Sequence, residues 1–256
     1  MLTNHLLQDT CLSSNGEPIF SWQQVRRAFI DWKVYIYMFI YMGNATIVHS
    51  LIIFLPTLIS EGSDLSNAHA QLMSAPPNLM SSPITLIAAF SAARFQERGY
   101  HITGILSIGI VGCILLITLA KYGLTVLYIV TCLTCIGTFS TIPLIMSWFT
   151  NNIGGYTKRA VATGLIVGSG NMSGIVSGHI YRAQDAPYFL RGHFINLGFM
   201  SAIFVASLVF KYILFRENRR RDSLSIRARE QELEQCGPEP CGPEPCDAHP
   251  DFRYTT

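Results

Sequence analysis

The chain has 256 residues, 50% of them hydrophobic and 13% charged, with a formal net charge of +2. The apolar residues gather into six long runs that no ordinary soluble domain would carry, and the near-neutral charge gives no footing for a nucleic-acid partner. The runs lack the ten-residue alternation of membrane β-strands, which excludes a barrel. The expected class is an all-α integral membrane protein with six transmembrane helices.

Residues 1–30 have no apolar core and are interrupted by Asp9 and Glu17, so they are not a signal peptide. Within them Ile19–Ile30 mixes apolar and basic residues at roughly helical spacing. It reads as an interfacial helix leading into the first span; a solvated linker is the alternative. The spans then run approximately Trp32–Ser60, Pro76–Phe95, Ile102–Lys121, Thr125–Thr150, Arg159–Tyr181 and His193–Phe215. Each is about the 20 residues that cross a bilayer core as a helix. Ser66 is positioned to cap a short helix in the first long loop, and Pro76-Pro77 to open the second span. Pro83 and Pro143 lie inside spans and predict kinks. Residues 31–216 therefore form the membrane domain, and 217–256 a polar tail. The tail repeats CGPEP, which has nothing to bury and predicts disorder. Its Cys236, Cys241 and Cys246 fall at a five-residue period that does not match structural zinc sites. Cys132 and Cys135 read as small packing residues within a span. No metal or cofactor is expected.

Charge sets the orientation. Of eighteen Lys and Arg, three (Lys121, Arg182 and Arg191) fall on the side opposite the chain ends, and the other fifteen share the side of the ends. The positive-inside rule then places both termini in the cytoplasm.

Polar residues inside the spans mark candidate functional positions. The stretch GLIVGSGNMSGIVSG, residues 164–178, places Gly164, Gly168, Gly170, Gly174 and Gly178 within an arc of about 160° together with Asn171. Small residues four apart let helix backbones approach closely in lipid. This face is expected to meet protein or a cavity, with Asn171 either an interhelical bond or a cavity group. Tyr37, Tyr41 and Asn44 share one stripe of the first span, and His49 is the ionisable group near its middle. A histidine at membrane depth faces the bundle interior and is a functional candidate. Thr131, Thr134, Cys135, Thr138 and Thr141 share a face of the fourth span, where the hydroxyls can bond back to the helix itself. The spans hold no Asp or Glu, so proton coupling within them would fall to His49. Gly168-Ser169-Gly170 near His179 lacks a base and an oxyanion hole, which argues against an enzyme. The absence of periodic arginines argues against a voltage sensor.

Several segments together resemble the C-terminal half of fungal allantoate-permease-type transporters, in the anion:cation symporter branch of the major facilitator superfamily. They are DWKVYIYMFIYMG (31–43), FLPTLI (54–59), AQLMSAPPN (70–78), SWFTNNIGGYTKRAVATG (147–164), GSGNMSGIVSGHIY (168–181), QDAPYFLRGH (184–193) and the ending HPDFRYTT. The resemblance implies one half of a major facilitator fold in the plasma membrane. It also implies proton-coupled alternating access for small organic anions such as allantoate, nicotinate- or pantothenate-like vitamins, or short peptides. It makes Asn44, His49 and Asn171 candidate substrate residues, with Tyr41, Thr138 and Trp148 behind them. Arg94, Arg98, Lys158 and Arg159 become gate or topology residues. Two departures stand out: the chain has six spans where the family has about twelve, and Ala93 stands where the gating loop usually carries an acid. The partners implied are the bilayer, an organic anion and a second six-helix half or a second copy. The alternative is a truncated or accessory six-span membrane protein without transport activity of its own.

Overall fold

The computed structural model describes residues 20–62, 71–185, 188–225, 247 and 252–256. The expectations for the first nineteen residues, the Ser66 cap and the CGPEP repeat with its three cysteines lie outside these. The described residues are helical: α1 (Trp22–Ile30), α2 (Trp32–Gly62), α3 (Ala75–Phe95), α4 (Gly99–Thr118), α5 (Leu124–Phe139), α6 (Thr141–Asn152), α7 (Tyr156–Ser177) and α8 (Leu190–Asp222). A single 3₁₀ turn, Ala183–Asp185, precedes α8.

Among the described residues five stretches are long and apolar enough to cross a membrane: Trp32–Thr57, Gly99–Thr118, Thr125–Asn152, Tyr156–Ser177 and Leu190–Asp222. Helix α3 is the sixth span. Pro, Ser and Asn in its first half dilute its hydropathy, yet it turns Leu86 (71% exposed), Ile87 (70%) and Phe90 (73%) outward. Large apolar side chains so exposed on a long helix are a lipid-facing surface. Helices α5 and α6 make the fourth span between them. They part at Ser140, three residues before Pro143, whose ring conflicts with the carbonyl four residues back. The kink expected at Pro143 is therefore a break between two helices.

The bundle is organised around α2. Its buried side chains Tyr37, Ile40, Asn44, Ile47, Leu51 and Phe54 alternate at three- and four-residue steps. That spacing keeps one seam facing its neighbours. The seam packs against α7, α8, α5 and α6, while α4 bridges α5 and α8 and α3 leans on α5 and α6. Edge-on aromatic contacts join Tyr37 to Trp148 (5.4 Å between ring centroids) and to Phe210 (4.9 Å).

The tightest helix approach is between α4 and α5. A Cβ on Gly109 would sit 3.5 Å from Gly137 Cα, and one on Gly137 would overlap the Gly109 backbone. One on Gly112 would lie 2.9 Å from Thr134 N. Glycine is required here because backbone meets backbone.

Two features differ from the sequence expectations at the chain's end. Helix α8 continues to Asp222 instead of stopping at residue 216, and at 33 residues spans about 50 Å, well beyond a hydrocarbon core of ~30 Å. Residues 252–256 of the tail lie against the bundle, with Tyr254 buried.

Candidate functional site

Helix α2 carries the three residues that define the candidate transport face, and each meets a different neighbour. Tyr41 lies edge-on to Phe149 of α6 and fills the space that Gly170 of α7 leaves open. Asn44 is fully buried and donates from Nδ2 to the carbonyl of Thr138 at 3.3 Å. Its Oδ1 is buried without a hydrogen-bond partner among the described residues. His49 is half-buried, its Nδ1 3.2 Å from the hydroxyl of Ser173 on α7. Thr138 itself bonds back to Thr134 O at 3.0 Å. Ser169 likewise bonds to its own helix, at Ile166 O. A row of hydroxyls, an amide and an imidazole thus follows the joint between α2, α5 and α7.

The glycines of α7 divide. The side that packs on α2 is Ala162, Ile166, Gly170, Ser173 and Ser177, all buried. Of the five candidate packing glycines, Gly170 makes the close approach, and a Cβ on Gly174 would lie 3.9 Å from His49 Nδ1. Gly164 and Gly168 have no atom within 4 Å of where a Cβ would be, and Gly178 meets only its own helix. Asn171 is exposed on the same open side. At 100° per residue, Gly164, Gly168, Asn171 and Gly178 fall opposite Ala162, Ile166 and Ser173. The stripe read as one packing surface is therefore two, and the glycine–asparagine side is uncovered within this chain.

Trp148 does not join the α2 group. Its indole N–H donates to the carbonyl of Thr255 at 2.8 Å, so it forms the floor beneath the chain's last residues.

Those residues sit in a polar cluster at the end of the bundle where α2, α4 and α7 begin and α6 and α8 finish. Its first member, Asp31, terminates α1 and caps α2, accepting from Lys33 N at 3.1 Å. Its other carboxylate oxygen takes Lys158 Nζ at 2.7 Å. Lys158 is 5% exposed and also binds Asp247 at 2.7 Å; Lys33 reaches the same carboxylate at 3.2 Å. A buried and a partly exposed lysine are thus matched by a buried and a partly exposed aspartate. Burial alone would raise the Asp247 carboxyl, but Lys158 and Lys33 outweigh it and hold it below the usual carboxylate range. Arg221 donates to Asp247 O (3.1 Å), Phe252 O (2.9 Å) and Tyr254 Oη (3.2 Å).

Two asparagines clamp the tail backbone. Asn218 donates to Tyr254 O and accepts from Tyr254 N, at 2.7 and 2.9 Å. Asn152 donates to Thr255 O and accepts from Thr255 N, at 2.9 and 2.7 Å. Arg98 N donates to Thr256 O at 2.7 Å. The Arg98 guanidinium reaches the Asn151 amide oxygen at 2.7 Å, with that amide in the orientation that satisfies both its atoms.

The candidate gate residues accordingly separate. Lys158 and Arg98 hold the tail; Arg159 bonds the carbonyl of Ile153 at the α6–α7 turn; Arg94 is exposed. Glu97, four positions after Ala93, pairs with Lys211 of α8 and accepts from the Thr256 hydroxyl. The start of α7 is fixed from outside the bundle. Gln24 of α1 accepts from Thr157 N and Lys158 N, at 3.0 and 3.2 Å, capping a helix whose preceding residue, Gly155, has φ +85°.

A second polar group lies at the opposite end. The Tyr181 hydroxyl lies 3.0 Å from His193 Nδ1 and accepts from Asn196 Nδ2 at 3.0 Å; Asn196 also donates to Ser50. Tyr181 stacks on Phe54 at 4.0 Å. Sequence reasoning passed over His193 and Asn196, although their three-residue separation at the start of a span places both on one face. It also passed over Asp247 and Tyr254 as members of a polar tail. Among the described residues no group of three His, Cys, Asp or Glu is placed to hold a metal ion.

An all-helical membrane bundle with polar joints between its helices is a form that solute carriers take, and comparison with known proteins supports that class. An uncharacterised transporter of Schizosaccharomyces pombe is 34% identical over 194 residues, covering 74% of this chain and 37% of that protein. The high-affinity nicotinic acid transporter of Saccharomyces cerevisiae is 28% identical over 211 residues, covering 82% and 39%. A major facilitator-type transporter of Emericella nidulans is 26% identical over 218 residues, covering 85% and 43%. No protein-family model matches the chain. The chain spans about two-fifths of the length of these relatives. It is thus a multi-pass helical membrane protein homologous over most of its length to fungal major facilitator-type transporters.

Proposed function

We propose that this chain is one six-helix half of a transporter for small organic anions, working by alternating access in the plasma membrane with both chain ends cytoplasmic. Nicotinate-like carboxylates are the first substrates to test, since a nicotinic acid transporter is among the relatives. The observation that carries the reading is the uncovered stripe Gly164, Gly168 and Asn171 on α7, on the face of that helix turned away from the joint that holds His49 and Asn44. A stripe of glycines and an amide is a poor surface for lipid and a good one for a second helical unit or a polar cavity. That second unit would be another six-helix half, from a longer chain, another chain or a second copy. Asn171 supplies an exposed amide donor to a carboxylate, while the buried Asn44 stays bonded to Thr138. His49 is the ionisable side chain at that joint, and the neighbouring span positions carry no acid, so proton coupling is assigned to it. The Lys158–Asp31–Asp247 cluster closes the cytoplasmic end.

The test is uptake of labelled nicotinate, allantoate and pantothenate into proteoliposomes, by this chain alone and together with a matching N-terminal half. Uptake that needs the second half or a dimer, and loses its pH dependence in His49→Gln, is expected. Uptake by demonstrably monomeric chain would overturn the half-transporter reading. No uptake in any combination would favour an accessory membrane protein.

A further inference from the structure

We infer that the chain carries a binding site for the phosphate headgroup of an anionic phospholipid, between the start of α2, the end of α8 and the docked tail. The site is a cavity of about 600 Å³. Trp32, Ile213 and Leu214 give it an apolar side, and Lys33, Arg216, Arg220 and Arg221 give it a cationic one. Among the described residues that line it Glu217 is the one acid, against four basic side chains, of which Lys33 is paired with Asp247 behind the wall.

The charges are not all committed. Asp247 and Tyr254 engage Lys33, and Glu217 engages Arg220 and Arg221. Arg216 is exposed and makes no ion pair with the described residues, and the Arg220 side chain remains 50% exposed despite its pair. Two guanidinium groups one helical turn apart on α8 present the planar donor forks that grip phosphate oxygens two at a time.

Depth argues for a lipid over a soluble anion. Trp32 opens the first apolar run, and Tyr212 (63% exposed) and Phe215 (52%) stand beside the cavity on the outer face of α8. Exposed aromatic rings at the end of an apolar helix mark the headgroup level of a bilayer. A ligand there meets an apolar wall for its chains and a basic rim for its headgroup, the combination that basic juxtamembrane pockets offer anionic lipids. Tyr254 forms part of the wall, so docking of the tail completes the cavity. The inference stands on the membrane fold and does not require transport.

The test uses the whole chain in nanodiscs of phosphatidylcholine, alone or with phosphatidylserine or phosphatidylinositol 4-phosphate, with bound lipid counted by native mass spectrometry. Free inositol 1,4-bisphosphate forms a soluble arm. Retention of an anionic lipid over phosphatidylcholine is expected. Arg216→Gln and Arg220→Gln should each weaken it about five-fold, the effect of removing one basic residue from a membrane surface. Arg191→Gln, exposed at the opposite end, should leave it unchanged. Equal retention by all three variants, or no preference over phosphatidylcholine, would overturn the site. Binding of the free inositol phosphate as tight as that of the lipid would overturn the bilayer as its source.

Discussion

Asp247→Asn should release the tail. The carboxylate is 2% exposed as a residue and receives Lys158 at 2.7 Å and Lys33 at 3.2 Å. Removing one partner of a buried ion pair costs about 3–5 kcal/mol, because the surviving charge is left without compensation. Lys158 keeps Asp31 at 2.7 Å, so the lower end, about 3 kcal/mol, is the expected loss. The tail can detach without the bundle unfolding, since its other anchors also join only tail to bundle: hydrogen bonds to its backbone from Asn152, Asn218, Trp148, Arg98 and Arg221, bonds at Tyr254 Oη and the Thr256 hydroxyl, and the Arg253–Asp222 ion pair. The readout is hydrogen exchange at the amides of Tyr254 and Thr255, which donate to Asn218 and Asn152. A loss of about 3 kcal/mol should speed their exchange by about a hundredfold, while amides in the middle of α2 keep their protection. Exchange at Tyr254 and Thr255 unchanged in the variant would refute the ion-pair account of docking.

Acid should act at the same point. The Asp247 carboxyl is held below its ordinary range, so its contribution is complete above the unfolded carboxylate value near 3.8 and is lost only as pH falls through the lower folded value. Exchange at Tyr254 and Thr255, corrected for the intrinsic rate, should therefore stay flat from pH 5 to 8. Gly137→Leu should destroy detergent-extracted monodispersity because it drives a branched side chain into the Gly109 backbone, whereas Gly164→Leu should leave this chain's own fold intact. Tyr181→Phe should lower thermal stability by about 1–3 kcal/mol, measured by circular dichroism, because Asn196 and His193 lose a buried partner.

The helical class and the spans were legible because a bilayer demands runs of about 20 apolar residues, a requirement local in sequence. Pro143 announced its break for the same reason: the clash lies within four residues. The α2 candidates were half legible. Their stripe follows from helical geometry, but that Asn44 meets Thr138 and His49 meets Ser173 depends on separations of 94 and 124 residues. On α7 periodicity found a small-residue arc and could not say which edge of it touches a helix. Tyr41, 129 positions before Gly170, decides that. The tail was the least legible part. Asp247 and Tyr254 follow a Pro-, Gly- and Glu-rich stretch, and composition averaged over such a segment hides two residues whose partners lie on α2, α7 and α8.

That hidden cluster bears on how a two-sided carrier would move. Lys158 begins α7, Asp31 begins α2, Lys211 and Arg221 lie on α8, and Glu97 lies between α3 and α4. Most of the helices meeting at this end are therefore tied through charges, and Asp247 helps to neutralise those of Lys33 and Lys158. Opening the bundle there would separate Lys158 from Asp247 or lift the tail with one side. Either event exposes a buried lysine, which favours water entering the gap over lipid. The opposite end is held differently, by neutral bonds among Tyr181, His193, Asn196 and Ser50. Among the described residues the two ends thus differ in kind, one fastened by ion pairs and the other by neutral hydrogen bonds. Raising salt should loosen the first and leave the second nearly unaffected, because screening acts on charges once water reaches them.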